Sequence, residues 1–250
     1  MKIARVQAKD ETFYCIFDQG VAIRLAHDPY SCIEADGRRY GLDSIRFLAP
    51  CEPSKIVAVG LNYRGHGDEL NMEQPSEPVL FLKPPSAVIG PYENIVRPKL
   101  AKRVDYEAEL AVVIGKKCKD IDASKIADYI LGFTCFNDVT ARDLQARDGQ
   151  WTRAKSFDTF APIGPWIETG TNGVGLEIQA RVDGTVCQIA NTRDMIVSPY
   201  ELVSYISRMM TLLPGDVIAT GTPKGVGEIL AGQTVEIYIE GIGTLTNYCV

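Results

Sequence analysis

The chain has 250 residues, 46 % of them hydrophobic and 23 % charged, with a formal net charge of −6. This is the composition of a globular chain, long enough for one large domain with or without a small one, and it excludes a disordered polypeptide. An acidic balance without any basic cluster beyond Lys116-Lys117-Cys118-Lys119 argues against nucleic-acid binding. No stretch approaches the roughly 20 apolar residues of a membrane span.

The first fifty residues read as short strands, at Lys2 to Ala8, Thr12 to Phe17 and Val21 to Leu25, separated by charged or glycine-containing turns. Ala49-Pro50-Cys51-Glu52-Pro53-Ser54 then interrupts any regular element. The expected organisation is a small N-terminal β module over 1–50 and a main domain over 55–250. Lys55 to Gly60 and Val79 to Lys83 read as strands, with a short helix between them at Tyr63 to Met72. A long strand is expected from Asp105 to Ile114, a helix at Ala123 to Tyr129, a strand at Ile130 to Phe136 and a helix within Val139 to Arg147. Asp183-Gly184 predicts a tight hairpin turn between Leu176 to Val182 and Thr185 to Ile189. Pro199 to Leu212 reads as an amphipathic helix with proline near its start. Asp216 to Ala219, Thr234 to Glu240 and Thr244 to Tyr248 complete a strand-rich C-terminus. The fold class is therefore α+β and β-rich, because the helices do not alternate regularly with the strands. The cysteines number 7. An odd count without a Cys-x-x-Cys spacing argues against a disulfide framework or a thiolate zinc site, and the N-terminal pattern against a signal peptide; a cytoplasmic protein is expected.

The most informative stretch is Asp105-Tyr106-Glu107-Ala108-Glu109, which runs into Leu110 to Ile114. Alternation on a strand would turn all three acids to one face, about 7 Å apart. Like charges beside an apolar run call for a compensating cation. Another acid, Asp138, closes the apolar strand Gly132 to Asn137. An oxygen-only set suits Mg²⁺, Mn²⁺ or Ca²⁺ better than Zn²⁺. Alternating acids also describe a plain solvated face, and spacing alone makes Asp105 an equal candidate.

Of the two histidines, His27 lies in a turn-like stretch, whereas His66 is flanked by Gly65 and Gly67 and has Glu69 three residues on. On a helix the pair would be in reach, and a carboxylate beside histidine makes a better general base. Arg142 and Gln145 share a helical face beginning beside Asp138, and Lys155 sits in the aromatic stretch Trp151 to Phe157. The glycine-rich loop Ala219 to Gly227 follows a strand but lacks the phosphate-binding signatures. It can still offer backbone N–H groups to a small anion.

Taken in order, Gly60-Leu61-Asn62-Tyr63 with His66, Asp105 to Leu110, Phe136 to Gln145, Trp151 to Phe157 and Thr220 to Gly227 resemble the fumarylacetoacetate hydrolase family. The small N-terminal segment resembles that of its small microbial members, which are acylpyruvate hydrolase-like or 2-hydroxyhepta-2,4-diene-1,7-dioate isomerase-like. The resemblance implies a mixed β roll or sandwich and a homodimer. It implies a divalent cation, Mg²⁺ or Mn²⁺ with Ca²⁺ as a substitute, held by Glu107, Glu109 and Asp138, and so leaves Asp105 out. It further implies a His66–Glu69 dyad on a mobile lid, Lys155 as a catalytic cation, and substrate contacts from Arg142, Gln145 and Thr222. The implied activity is on 2-oxo or 2,4-dioxo carboxylic acids through a metal-stabilised enolate, in aromatic catabolism. C–C hydrolysis of an acylpyruvate leads, with isomerisation, tautomerisation or decarboxylation as alternatives. A metal-dependent phosphodiesterase and a non-catalytic binding protein are the competing classes.

Overall fold

A computed structural model describes residues 1–64 and 76–250. Among these residues the strands form sheets of 12, 3 and 5 strands, so the protein is β-rich α+β, as its sequence indicates. Ala108–Ile114 is buried along its whole length. Its side chains alternate: Leu110, Val112 and Ile114 enter one core cluster, while Ala111 and Val113 enter another. A strand buried on both faces reads as a continuous apolar run. Each fully buried Val, Leu or Ile contributes about 1.5–3 kcal/mol. Together they can hold the fully buried Glu109 at the strand's start.

Around this strand the large sheet follows the pairing pattern closely. On one side Ala108–Ile114 pairs with Ile130–Asn137, which pairs with Ala161–Glu168, which in turn pairs with Lys2–Ala8. On the other side come Val217–Ala219, then Ile56–Gly60 in parallel, then Val79–Lys83 at the edge. The N-terminal strands are thus extensions of the main sheet. The five-stranded sheet carries the expected hairpin, with Asp183 at φ 49 and Gly184 at φ 78 between Glu177–Val182 and Thr185–Asn191. Its Ile178, Ala180, Ile237 and Leu245 pack into the same cluster as Leu110 and Val112.

Three elements depart from the sequence-based expectation. The acidic strand is broken at Glu107: Val104–Tyr106 joins Thr140–Ala141 and Gly227–Glu228 in the small sheet, and only Ala108–Ile114 continues in the large one. The helix expected at Ala123 to Tyr129 is a 3-10 turn at Ile126–Tyr129. The helix within Val139 to Arg147 starts later, at Arg142–Asp148, because Thr140–Ala141 pairs as a strand. Pro199–Met209 is helical as expected, closed at its start by a reciprocal Ser198–Glu201 capping box. Of the helix expected at Tyr63 to Met72, Tyr63 bridges to Met195, and residues 65–72 lie outside the described residues.

Candidate active site

The break at Glu107 is what builds the site. The Glu107 N–H donates to Asn137 Oδ1 (2.9 Å), and its carbonyl accepts the Asp138 N–H (3.0 Å). These bonds hold the ends of two adjacent strands together. Glu107, Glu109 and Asp138 consequently converge, each buried, with one carboxylate oxygen apiece within 4.8 Å of the others. Asp105 is not in this cluster. It is fully buried, but its oxygens are taken by Arg103 Nε (2.7 Å) and Arg142 Nε (3.0 Å). The alternation that would have made it a neighbour of Glu107 ends at the change of sheet.

The cluster forms one wall of a cavity of about 300 Å³, also lined by Arg142, Gln145, Lys155 and Thr222. Every described residue that the family resemblance implies for metal, catalysis or substrate contact therefore lines one cavity, whereas Asp105, which spacing alone also offered, does not. His66 and Glu69 lie outside the described residues. The remaining walls are apolar, from Val59, Leu61, Phe81 and Trp151. The Phe81 and Trp151 rings meet edge to face at 5.3 Å. Gly60 admits Trp151, since a Cβ there would lie 2.7 Å from the indole ring.

Charge is distributed unevenly over the three carboxylates. Lys155, 2 % exposed, donates to Glu107 Oε2 (2.8 Å) and Asp138 Oδ2 (2.5 Å). Burial works against its ammonium form, but Asp138 and Glu107 outweigh it and hold its pKa above the ordinary lysine value. Lys83 donates to the other Asp138 oxygen and to the Val139 carbonyl (3.2 Å). Complete burial, reinforced by the neighbouring Lys155 charge and only partly offset by Asp138, pushes Lys83 below its usual range. The Arg142 guanidinium bonds Glu107 Oε1 (2.5 Å) and Gln145 Oε1 (2.6 Å). Its own burial is likewise outweighed by Glu107 and Asp105, which raise it. Glu109 differs. It accepts the Gly221 N–H (2.9 Å), and no cation pairs with it among the described residues. Burial, then Asp138 and Glu107, push its carboxyl well above the usual range.

These features fit a divalent cation. Three buried carboxylates supply hard oxygen donors, Glu109 has no directly bonded cation among the described residues, and neither thiol nor imidazole joins them there. That donor set favours Mg²⁺, Mn²⁺ or Ca²⁺ over zinc. Lys83 was missed by sequence reasoning. Its signal was phase: in Val79–Lys83 it sits on the buried side with Phe81.

The loop after Val217–Ala219 seats Thr222. Gly221 adopts φ +97, and a Cβ there would lie 2.8 Å from Asn62 Cβ. Only glycine allows this backbone to come close enough for its N–H to reach Glu109.

Among solved structures, the chain resembles 2-hydroxyhepta-2,4-diene-1,7-dioate isomerase from Mycobacterium marinum, with 46 % identity and TM-score 0.94, covering 100 % of this chain and 98 % of that one. It also resembles maleylpyruvate hydrolase from Sphingobium sp. SYK-6 in complex with manganese(II) and pyruvate, with 30 % identity and TM-score 0.84, covering 100 % and 99 %. Rattus norvegicus oxaloacetate tautomerase Fahd2a, mitochondrial, is 42 % identical over 218 residues, 82 % of this chain and 70 % of the rat protein. Residues 1–50 match the Rv2993c-like N-terminal model. Residues 55–250 match the model of the fumarylacetoacetate hydrolase C-terminal domain, and the chain belongs to that family.

Proposed function

We propose that this protein is a divalent-metal-dependent enzyme acting on 2-oxo carboxylic acids through an enolate, with C–C hydrolysis of an acylpyruvate as its reaction. One observation carries it: three buried carboxylates, two of them bonded to Lys155, line a single cavity together with Arg142, Gln145 and Thr222, and the rest of its wall is apolar. When bound, the cation supplies Lewis acidity to the 2-oxo group.

The residues of the chain supply the rest. Arg142 fixes the Glu107 carboxylate and takes the Gln145 amide oxygen, leaving the Gln145 NH₂ to donate into the cavity. The Lys155 ammonium lies beside the carboxylates, where negative charge develops on the substrate oxygen. Phe81, Trp151 and Leu61 exclude bulk water, which strengthens both contacts. In the proposed hydrolysis, His66 assisted by Glu69 takes a proton from water. The hydroxide adds to the distal carbonyl, and the C–C bond breaks with its electron pair passing to the pyruvate fragment as an enolate. A proton returned to the enolate carbon gives pyruvate. The proposal includes Mg²⁺ or Mn²⁺ as the cation and a homodimer as the assembly.

A second reading, isomerisation or tautomerisation, draws support from the likeness to the mycobacterial isomerase and the rat tautomerase. It uses the same enolate without an attacking water. A turnover panel with Mg²⁺ and Mn²⁺, covering acetylpyruvate, fumarylpyruvate, oxaloacetate and a homoprotocatechuate-derived diene diacid, separates them. Pyruvate release from an acylpyruvate is the expected result. Keto–enol or double-bond interconversion alone would replace hydrolysis by the second reading. Undiminished turnover after EDTA treatment would overturn the metal role.

A further inference from the structure

Thr185–Asn191 is an edge strand with mostly exposed or half-buried side chains, yet Gln188 on it is only 1 % exposed. Its amide reaches beneath the cavity and makes three hydrogen bonds. Oε1 accepts the Ala108 N–H (2.9 Å), and Nε2 donates to the Pro223 carbonyl (2.7 Å) and to Thr222 Oγ1 (2.9 Å). The backbone partners leave one orientation of the amide, since an N–H requires the oxygen and a carbonyl requires the nitrogen. The third contact is therefore an N–H donated to the threonine oxygen. A hydroxyl that accepts there must send its single hydrogen elsewhere. Thr222 lines the cavity, and no other described residue takes that hydrogen.

The loop is held firmly enough for this to matter. Tyr106 Oη donates to the Gly225 carbonyl (3.0 Å). A Cβ at Gly225 would lie 2.6 Å from the Cys187 carbonyl oxygen, so loop and edge strand lie in direct contact.

We propose that Gln188 is a positioning residue that fixes Thr222 as a hydrogen-bond donor to an anionic oxygen of the substrate. This selects a carboxylate-bearing ligand over its neutral amide, and it rests on the assignment of the site to 2-oxo acids. An acceptor at the Gln188 position would turn the Thr222 hydrogen away from the cavity and toward itself.

The test is calorimetric titration of the Mn²⁺-loaded protein with oxalate, a small dicarboxylate probe. Gln188→Glu keeps the shape but replaces the donor by an acceptor. It should raise the oxalate dissociation constant about 10- to 100-fold, the size of a lost hydrogen bond to a charged group. Thr222→Val should do the same, and Thr222→Ser should bind like wild type. Adding Gln188→Glu to Thr222→Val should change affinity by less than about twofold, because both remove one contact. Mn²⁺ affinity should be unchanged throughout. Wild-type-like oxalate binding by Gln188→Glu, or a full additional loss in the double variant, overturns the assignment alone. A wild-type protein that binds Mn²⁺ but not oxalate overturns the 2-oxo acid site and Gln188's role with it. If Gln188→Glu does not fold, Thr222→Val decides. Its preference for pyruvate over pyruvamide should fall about 10-fold or more below that of wild type, and an unchanged preference overturns the assignment.

Discussion

Glu109 is the residue on which the site's charge balance turns. Lys155 and Lys83 are bonded to Asp138, and Lys155 and Arg142 to Glu107, whereas Glu109 receives one backbone N–H. Its carboxyl is pushed well above the ordinary 4.5 by burial and then by Asp138 and Glu107. An acid whose pKa is higher folded than unfolded binds its proton more tightly in the native state, so its contribution to stability falls as pH rises past the unfolded value. The metal-free wild type should therefore lose melting temperature relative to Glu109→Gln as pH rises above 4.5. Binding a divalent cation requires the ionised carboxylate, so Mn²⁺ uptake should release a proton and tighten with pH. Glu109→Gln should stay folded but lose Mn²⁺ binding and metal-dependent turnover. Calorimetric titration in two buffers of different ionisation enthalpy checks this; Mn²⁺ binding without proton release, or retained by Glu109→Gln, would remove Glu109 from the metal set. At this scale the three clustered acids were legible in the sequence because the family motif carries them. Lys83 was not, since a lysine ending a short strand before two prolines reads as a surface residue until its phase with buried Phe81 is seen.

At the level of elements, the strands from Ile56, Val79, Ala108 and Thr185 were visible as apolar or alternating runs, and the Asp183-Gly184 turn as a hairpin. The break at Glu107 was invisible, because Val104–Tyr106 and Ala108–Ile114 are both good strand sequences. Their division depends on partners far along the chain, Thr140–Ala141 for one and Val217–Ala219 for the other. The loop after Val217–Ala219 was legible as glycine-rich, but its purpose was not. Gly221 places its N–H on Glu109 and leads directly into Thr222. Alanine at 221 would carry a Cβ 2.8 Å from Asn62 Cβ and 3.2 Å from the Val59 carbonyl oxygen, at φ +97. Strain of this kind costs about 1–3 kcal/mol. The neighbouring backbone can yield only by moving the wall of the cavity. Gly221→Ala should thus lower stability by about that amount in urea unfolding and reduce turnover more than tenfold. Wild-type kinetics in this variant would mean that the loop tolerates displacement without affecting the site.

For the molecule as a whole, the sequence break at Ala49 to Ser54 suggested a separate N-terminal module, and the two family models divide the chain at the same place. The sheet does not divide there. Lys2 and Ile3 pair with Glu168 and Ile167, and the N-terminal ammonium bonds Glu168 (2.6 Å). Ile3 is fully buried in one cluster with Ile163, Ile167 and Ala219. Phe17 stacks on Trp166 at 5.2 Å, and the Trp166 indole donates to the Ile242 carbonyl (2.6 Å) beside the five-stranded sheet. Removing residues 1–50 would strip a neighbour from Ala161–Glu168 and bare an apolar edge, a template for aggregation. The two matched segments should therefore unfold together. Differential scanning calorimetry of the full chain is expected to give one transition whose calorimetric and van't Hoff enthalpies agree, and the 55–250 fragment should aggregate or melt without cooperativity. Two separate transitions, or a 55–250 fragment with the melting temperature of the whole, would mean that the strand pairing at Lys2 and Ile3 adds little, and that the N-terminal segment is an attached module after all.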